Sequence, residues 1–199
     1  MTGDPRQVAP ATERNRGPIL EVLRRVLPPQ GLVLEVASGT GEHVAYFARA
    51  LTGLTFQPTE FDAERRASVD AWAADLDNVR PAVALDATAA EWLVEEAAAV
   101  LCANMIHIAP WEACVGLIAG AGRVLSPGGV LVLYGPFLQT GVPTAPGNVS
   151  FDASLRARDV RWGVRDLGAV VALAAGQGLE LDEIVEMPAN NLMVVFRRG

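Results

Sequence analysis

Leu34-Glu35-Val36-Ala37-Ser38-Gly39-Thr40-Gly41 stands where a short apolar run, Leu32 to Ala37, passes into a helical pattern from Glu42 to about Leu51. A strand that turns through small residues straight into a helix is a ligand-binding turn of open α/β sheets. Glycines there let the backbone turn tightly and let a ligand come close to the main chain. The spacing is Glu35, Ala37, Gly39, Gly41: an acidic residue, then a small residue at every second position. A pyrophosphate turn needs Gly-x-Gly-x-x-Gly, and from Gly39 its last glycine would fall on Val44. Glu42 at the head of the helix would also repel a phosphate.

The same alternation runs outward from this turn. Ile19, Leu20, Leu23, Val26 and Leu27 fall at helical spacing and predict a helix over Thr12–Leu27, stopped by Pro28-Pro29. Strands are expected over Leu54–Thr59, Pro81–Leu85, Ala97–Ala103 and Val130–Tyr134, and helices over Ala63–Leu76, Trp111–Leu125 and Val164–Gln177. Ser126-Pro127-Gly128-Gly129 reads as a stop and turn. Gly135 to about Ser150 reads as a long loop, with three prolines and three glycines between Gly135 and Gly147. Only Pro188-Ala189-Asn190-Asn191 separates the last two strands, Leu179–Met187 and Leu192–Arg197. That link is too short for a crossover, so the two must pair antiparallel. The expected fold is therefore α/β and Rossmann-like: a seven-stranded, mostly parallel sheet ending in an antiparallel hairpin, with helices on both faces. No repeat or shift of composition divides residues 1–199, which read as one domain.

Composition narrows the partners. The net charge is −7, and all 16 basic residues are arginines. An acidic chain is repelled by a phosphate backbone and by an anionic membrane, so nucleic acid and membrane are disfavoured and a small-molecule substrate is expected. Met1 to Pro10 is polar and lacks the apolar core of a secretory signal. No apolar run reaches the length of a membrane span. Cys102 and Cys114 form no Cys-x-x-Cys pattern and suit reduced thiols in a cytoplasm. The oligomeric state is not readable.

Ligands of open α/β sheets bind beyond the carboxyl ends of the strands, and polar residues collect there. Glu60 follows the second strand and suits a bidentate grip on two ribose hydroxyls; Asp62 is the alternative, or else a helix N-cap. Asp86, followed by Ala87, suits an adenine amino group, or else caps a helix. Asn104 and His107 follow the fourth strand. Asn104 suits the amino-acid end of a nucleoside cofactor or the substrate, and His107 is a candidate general base or else a buried structural histidine. His43 suits a cofactor wall. S-adenosylmethionine carries a sulfonium and an ammonium and no phosphate, so Glu35 and Glu42 favour it over a dinucleotide. Arg156, Arg158, Arg161 and Arg165, with Trp162, suit an anionic substrate or a solvated helix approach. No residues have metal-ligand spacing.

The acidic turn and the terminal hairpin together resemble class I S-adenosylmethionine-dependent methyltransferases, with Ala37 in place of the first glycine of their acidic-x-Gly-x-Gly-x-Gly turn. More specific segments resemble the family of methyltransferase-like protein twenty-six. These are Glu13-Arg14-Asn15, Leu34 to His43, Gln57-Pro58, Asn104 to His107, Tyr134 to Phe137, Asn148 to Leu155, Trp162 to Asp166 and Met187 to Asn191. The resemblance implies that Glu35, Ala37, Ser38, Gly39, Gly41 and His43 cradle S-adenosylmethionine. It also implies that Arg14 binds the cofactor, and that the first helix, about residues 12–27, which Arg14 and Asn15 lead into, folds over it as a lid. A non-catalytic S-adenosylmethionine-binding protein and an NAD-dependent oxidoreductase are the rival readings; Val44 and the hairpin count against the latter.

Overall fold

The computed structural model describes residues 4–199; the first three residues of the polar start lie outside the described residues. Helix α1 covers Pro10–Val26, with proline at its first turn, where no amide partner is lost. Strand β1 (Gly31–Val36) leads into α2 (Glu42–Ala50), β2 (Leu54–Pro58) and α3 (Ala63–Ala73). Then come β3 (Ala97–Ala103), a single 3-10 turn over Met105–His107, α4 (Trp111–Val124) and β4 (Leu125–Gly135). The short β5 (Phe137–Leu138), α5 (Pro146–Arg158), β6 (Arg165–Asp166) and α6 (Leu167–Ala175) follow, and β7 (Leu179–Met187) and β8 (Asn191–Arg198) end the chain.

Strands β2-β1-β3-β4-β8-β7 form the sheet in that order. The first four run parallel, and β8 is antiparallel to both β4 and β7. Side chains alternate across the sheet. Val33, Ala99, Leu101, Val130 and Val132 face α1, α2 and α3, whereas Leu34, Val100, Cys102, Leu131 and Leu133 face α4 and α6. The expected α/β class and terminal hairpin are thus present.

Four expectations need correction. The sheet has six strands, because Pro81–Leu85 does not form one. That segment runs beside β2 through two isolated bridges, Phe56 with Val79 and Thr59 with Val83. Pro81 has no amide to donate, and the segment lies on an open edge where its alanines bury little. The Ser126 to Gly129 stretch does not separate helix from strand: β4 begins at Leu125 and absorbs those residues as an irregularity opposite Ala97–Ala99. The 135–150 loop is shorter than expected, because α5 starts at Pro146. It buries only Asn148 and Leu155, one narrow stripe, so its apolar periodicity is faint. Asp166 caps α6 through Ala169 N–H at 2.8 Å, which starts that helix at Leu167 and leaves Arg165–Asp166 paired with Phe137–Leu138.

Candidate functional site

A cavity of about 680 Å³ opens over the carboxyl ends of β1, β2 and β3, within the usual size of a small-molecule site. Its centre is the turn after β1. Ala37, Gly39 and Gly41 all have left-handed φ, of 59°, 61° and 91°. A Cβ at Gly39 would meet nothing, since that face opens onto the cavity. A Cβ at Gly41 would lie 2.5 Å from the Cα of Val69, so Gly41 lets α2 pack on α3 and does not line the cavity. Ala37 holds a conformation that costs an L residue about 1–2 kcal/mol.

Glu35 reaches this cavity from β1 while only 3 % exposed, and its Oε2 has no hydrogen-bond partner. Burial pushes its pKa up to about 7; the Ser38 hydroxyl beside it offsets part of that rise, and the Glu60 carboxylate adds to it. Ser38 Oγ is likewise buried and unpartnered at the cavity wall. Glu60 is buried and fixed by two backbone amides: Gly39 N–H donates to its Oε2 at 2.9 Å and Asp62 N–H to its Oε1 at 3.2 Å. A carboxylate has about four acceptor sites, so capacity remains for a ligand hydroxyl. Asp86 accepts the Thr88 amide and hydroxyl on Oδ1, closing a local turn, and it lines the cavity with Ala87. No helix follows Asp86, so it is not an N-cap.

Asn104 also lines the cavity, with a left-handed φ of 61° and its N–H on Tyr134 O. From the helical side come Thr12 and Asn15 of α1 and His43 of α2. Asn15 Oδ1 lies 2.8 Å from His43 Nε2, and the ring stacks on Phe47. Burial and the charge of Arg16 lower the His43 pKa to about 4, so the ring is neutral and donates to Asn15. Asn15 is a wall residue that reading the chain in one dimension did not single out as a ligand contact. Its short polar side chain on an ordinary helix carries no local signal.

Four expected site residues stand elsewhere. Arg14 is exposed and off the cavity wall. Asp62 caps α3 through Arg65 N–H at 3.0 Å. Gly41 serves the α2–α3 contact. His107 is 0 % exposed and lies behind the wall, edge-on to Phe137 at 5.1 Å. Its Nδ1 accepts Arg165 N–H at 3.3 Å, and its Nε2 has no partner. Burial and the Arg165 charge lower its pKa to about 3. His107 does not line the cavity in this structure, where a general base would have to touch the proton it takes.

The arginines at the end of α5 and just after it are also occupied. Arg156 pairs with Asp152 and Arg161 with Asp159, Arg158 lies over Trp162, and Arg165 donates to the carbonyls of Ile106, Ala109 and Arg161. None of them lines the cavity. Glu42 receives Ala9 N–H and Thr40 Oγ1–H, which places a carboxylate at the head of α2 where a pyrophosphate would sit. The cavity wall carries Glu35, Glu60 and Asp86 against one cation, Arg65.

The family model described as "Protein of unknown function (DUF938)" matches residues 6–198. The chain belongs to the DUF938 family. Solved structures show the fold of this DUF938 member to be the Rossmann-like methyltransferase fold. It is similar to the mitomycin 7-O-methyltransferase MmcR (TM-score 0.81, 15% identity), covering 95% of this chain and 54% of that one. An O-methyltransferase family protein from Burkholderia thailandensis matches with a TM-score of 0.80 at 17% identity, over 95% of this chain and 57% of that one. CalO1, a methyltransferase in calicheamicin biosynthesis solved in its SAH-bound form, matches with a TM-score of 0.74 at 21% identity, over 92% and 54%. The chain thus spans little more than half the length of these three proteins. Among the described residues, no helix is long and apolar enough to cross a membrane.

Proposed function

We propose that this chain is an S-adenosylmethionine-dependent methyltransferase acting on a small molecule, and that residues 1–199 form its single cofactor-binding domain with α1 as a lid. The observation that carries the reading is the buried, unpartnered Glu35 Oε2 beside the open face of Gly39 and the amide-fixed Glu60. An orphan carboxylate oxygen at a cavity wall suits a cationic ligand, and the open glycine face suits close approach of a nucleoside. The SAH-bound likeness of CalO1 and the resemblance to the methyltransferase-like protein twenty-six family support the same cofactor. A cytoplasmic setting belongs to this reading, with Cys102 and Cys114 both buried as free thiols.

Bound S-adenosylmethionine would supply an electrophilic methyl carbon: the acceptor's lone pair forms the new bond, and the carbon–sulfur pair returns to sulfur. The chain's own residues bind and orient. Glu60 takes ribose hydroxyls, Asp86 the adenine amino group, Glu35 the positive charge, and Ala37, Ser38 and Gly39 the close main-chain contact. Asn104 and His43 complete the wall. His107 is a positioning residue that holds the turn after β3 against β6. The wall carries His43, held neutral, and Glu35, whose pKa of about 7 suits a general base for an acceptor that needs one. The burial of His107 off the wall favours the second reading, a non-catalytic S-adenosylmethionine-binding protein.

Thermal unfolding with S-adenosylhomocysteine and with NAD tests the assignment. At a hundredfold excess over its dissociation constant, S-adenosylhomocysteine should stabilise the fold by about 2.7 kcal/mol, and NAD should not. Stabilisation by NAD alone would overturn the reading. A screen with methyl-labelled cofactor then separates enzyme from binder.

A further inference from the structure

A methyl acceptor must come within about 3–3.5 Å of the transferable methyl, so it must share the cavity that holds the cofactor. A second, smaller hollow of about 240 Å³ opens over the ends of β4, β8 and β7. A partition of Asn104, Gly135, His107 and Phe137 walls it off from the larger cavity. A Cβ at Gly135 would lie 3.2 Å from Asn104 Oδ1 and 2.5 Å from His107 Nε2, and His107 meets Phe137 edge-on. An acceptor seated in the smaller hollow could not touch the methyl.

The wall of the larger cavity is divided by charge. Its three carboxylates and its one arginine, Glu35, Glu60, Asp86 and Arg65, come from β1, from the segments that follow β2 and the bridged edge, and from α3. Two other stretches carry no charge to the cavity. One is residues 7–15, which lead into α1 and form its first turns; the other is residues 103–113, which run from the end of β3 into α4. No lining residue in either stretch is ionisable. Ala11, Ile108 and Pro110 supply aliphatic surface, and Thr12, Asn15 and Asn104 supply hydroxyl and amide groups. The charged residues of these stretches, Glu13, Arg14 and Glu112, do not line the cavity. Behind Ala109, the Arg165 guanidinium is engaged by three carbonyls. His43, which donates to Asn15, is neutral.

We infer that the methyl acceptor lies against this uncharged part of the wall, and that it is a small neutral molecule with an apolar body and a hydrogen-bonding nucleophile, a hydroxyl being the simplest. The inference rests on the methyltransferase reading above, in which the cofactor takes the charged part. The cavity of about 680 Å³ must hold the cofactor as well, which leaves room only for a small acceptor. A charged acceptor would leave water for a surface with no partner charge, which is costly. The aliphatic side chains take the body, and the hydroxyl and amide groups of Thr12, Asn15 and Asn104 offer donors and acceptors to the nucleophile. In the transfer, a lone pair of the acceptor oxygen forms the bond to the methyl carbon and the carbon–sulfur pair returns to sulfur. The hydroxyl proton passes to the ionised Glu35 carboxylate, which loses its cationic partner in the same step.

Three one-ring probes that differ in charge test this: benzyl alcohol, benzylamine and benzoate. Each is titrated calorimetrically into protein saturated with S-adenosylhomocysteine, whose own binding is measured first. Benzyl alcohol should bind at least about tenfold more tightly than either ion. Ile108 is exposed at the rim of the uncharged part. Ile108→Lys should bring benzoate to within about threefold of the alcohol, and Ile108→Glu should do the same for benzylamine, with S-adenosylhomocysteine affinity unchanged in both. Binding of either ion to the wild-type protein as tightly as the alcohol, an order indifferent to both Ile108 variants, or no binding of the alcohol at millimolar concentration would overturn the inference. The wild-type order decides even where a variant fails to fold. If S-adenosylhomocysteine binds and the alcohol does not, this inference alone falls. If S-adenosylhomocysteine does not bind, the methyltransferase reading falls and takes the acceptor assignment with it.

Discussion

Over β1, β2 and β3, the larger hollow takes the centre of its wall from one run, Glu35 to Thr40 and His43, and the rest from four other segments between Gln7 and Ala113. Over β4, β8 and β7, the smaller hollow gathers residues from 137–148 and 186–192, segments about forty residues apart. The first is shaped by its own backbone: a strand end, a left-handed turn and a helix start. The second depends on straps. The segment after α5 is one: its Arg165–Asp166 pairs with Phe137–Leu138, and Phe137 lines the smaller hollow. Gly163 N–H donates to His107 O, Val164 N–H to Asp152, and the Arg165 guanidinium to three carbonyls that include Ile106 and Ala109. Ala109 lines the larger hollow, so the strap that organises one half also braces the other. The comparison teaches that a local turn can fix the centre of a binding surface, whereas walls assembled from distant segments need side chains that tie them.

The largest expected effect tests the strap. Arg165→Met removes the guanidinium and leaves part-buried carbonyls without donors, which should cost on the order of 3 kcal/mol in denaturant unfolding. Full stability in that variant would mean the two halves do not share this brace.

Next comes the turn's own ligand surface. Glu60→Ala should weaken S-adenosylhomocysteine about tenfold to a hundredfold by calorimetry, the worth of a charged hydrogen-bond acceptor at roughly 1.5–3 kcal/mol. An unchanged affinity in folded protein would place the ribose elsewhere.

Glu35 links this region to pH. Its folded pKa, about 7, lies above the ordinary carboxylate value, so the folded state holds the proton more tightly. Stability should therefore fall as pH rises from about 4.5 to 7 and level off above that. Binding of S-adenosylmethionine favours the ionised form, so its affinity should rise with pH below 7, by up to about tenfold per unit. Glu35→Gln should flatten both profiles; a persisting slope would point to another group.

The smallest effect concerns the one turn residue that departs from glycine. Ala37→Gly relieves a left-handed alanine and should raise stability by about 0.5–1 kcal/mol, once glycine's greater unfolded freedom is counted. Loss of stability would show that the Ala37 methyl packs usefully.

The site was legible to the extent that it was local. Glu35 lies near the end of β1, Ser38, Gly39 and Glu60 just past strand ends, and short apolar runs mark those strands. Asn104 sits on the cavity wall for the same reason, just past β3, whereas Asp86 follows only the bridged edge segment beside β2. His107, three residues past Asn104, looked equivalent in one dimension. A 3-10 turn and the distant Arg165 backbone rotate it behind the wall.

By itself the sequence determined the alternation of strands and helices, the turn after β1 and the antiparallel ending. Each follows from chemistry within a few residues: apolar periodicity, small residues at a turn, and a four-residue link too short to cross a sheet. Only the tertiary structure decided that Pro81–Leu85 stays a ragged edge, that α5 forms on one narrow stripe, that Asp62 caps a helix while Glu60 faces the cavity, and that His107 is sealed from solvent. Those outcomes depend on burial and hydrogen bonds supplied by segments tens of residues away, such as Arg165 on His107 and Asn148 on Asn190.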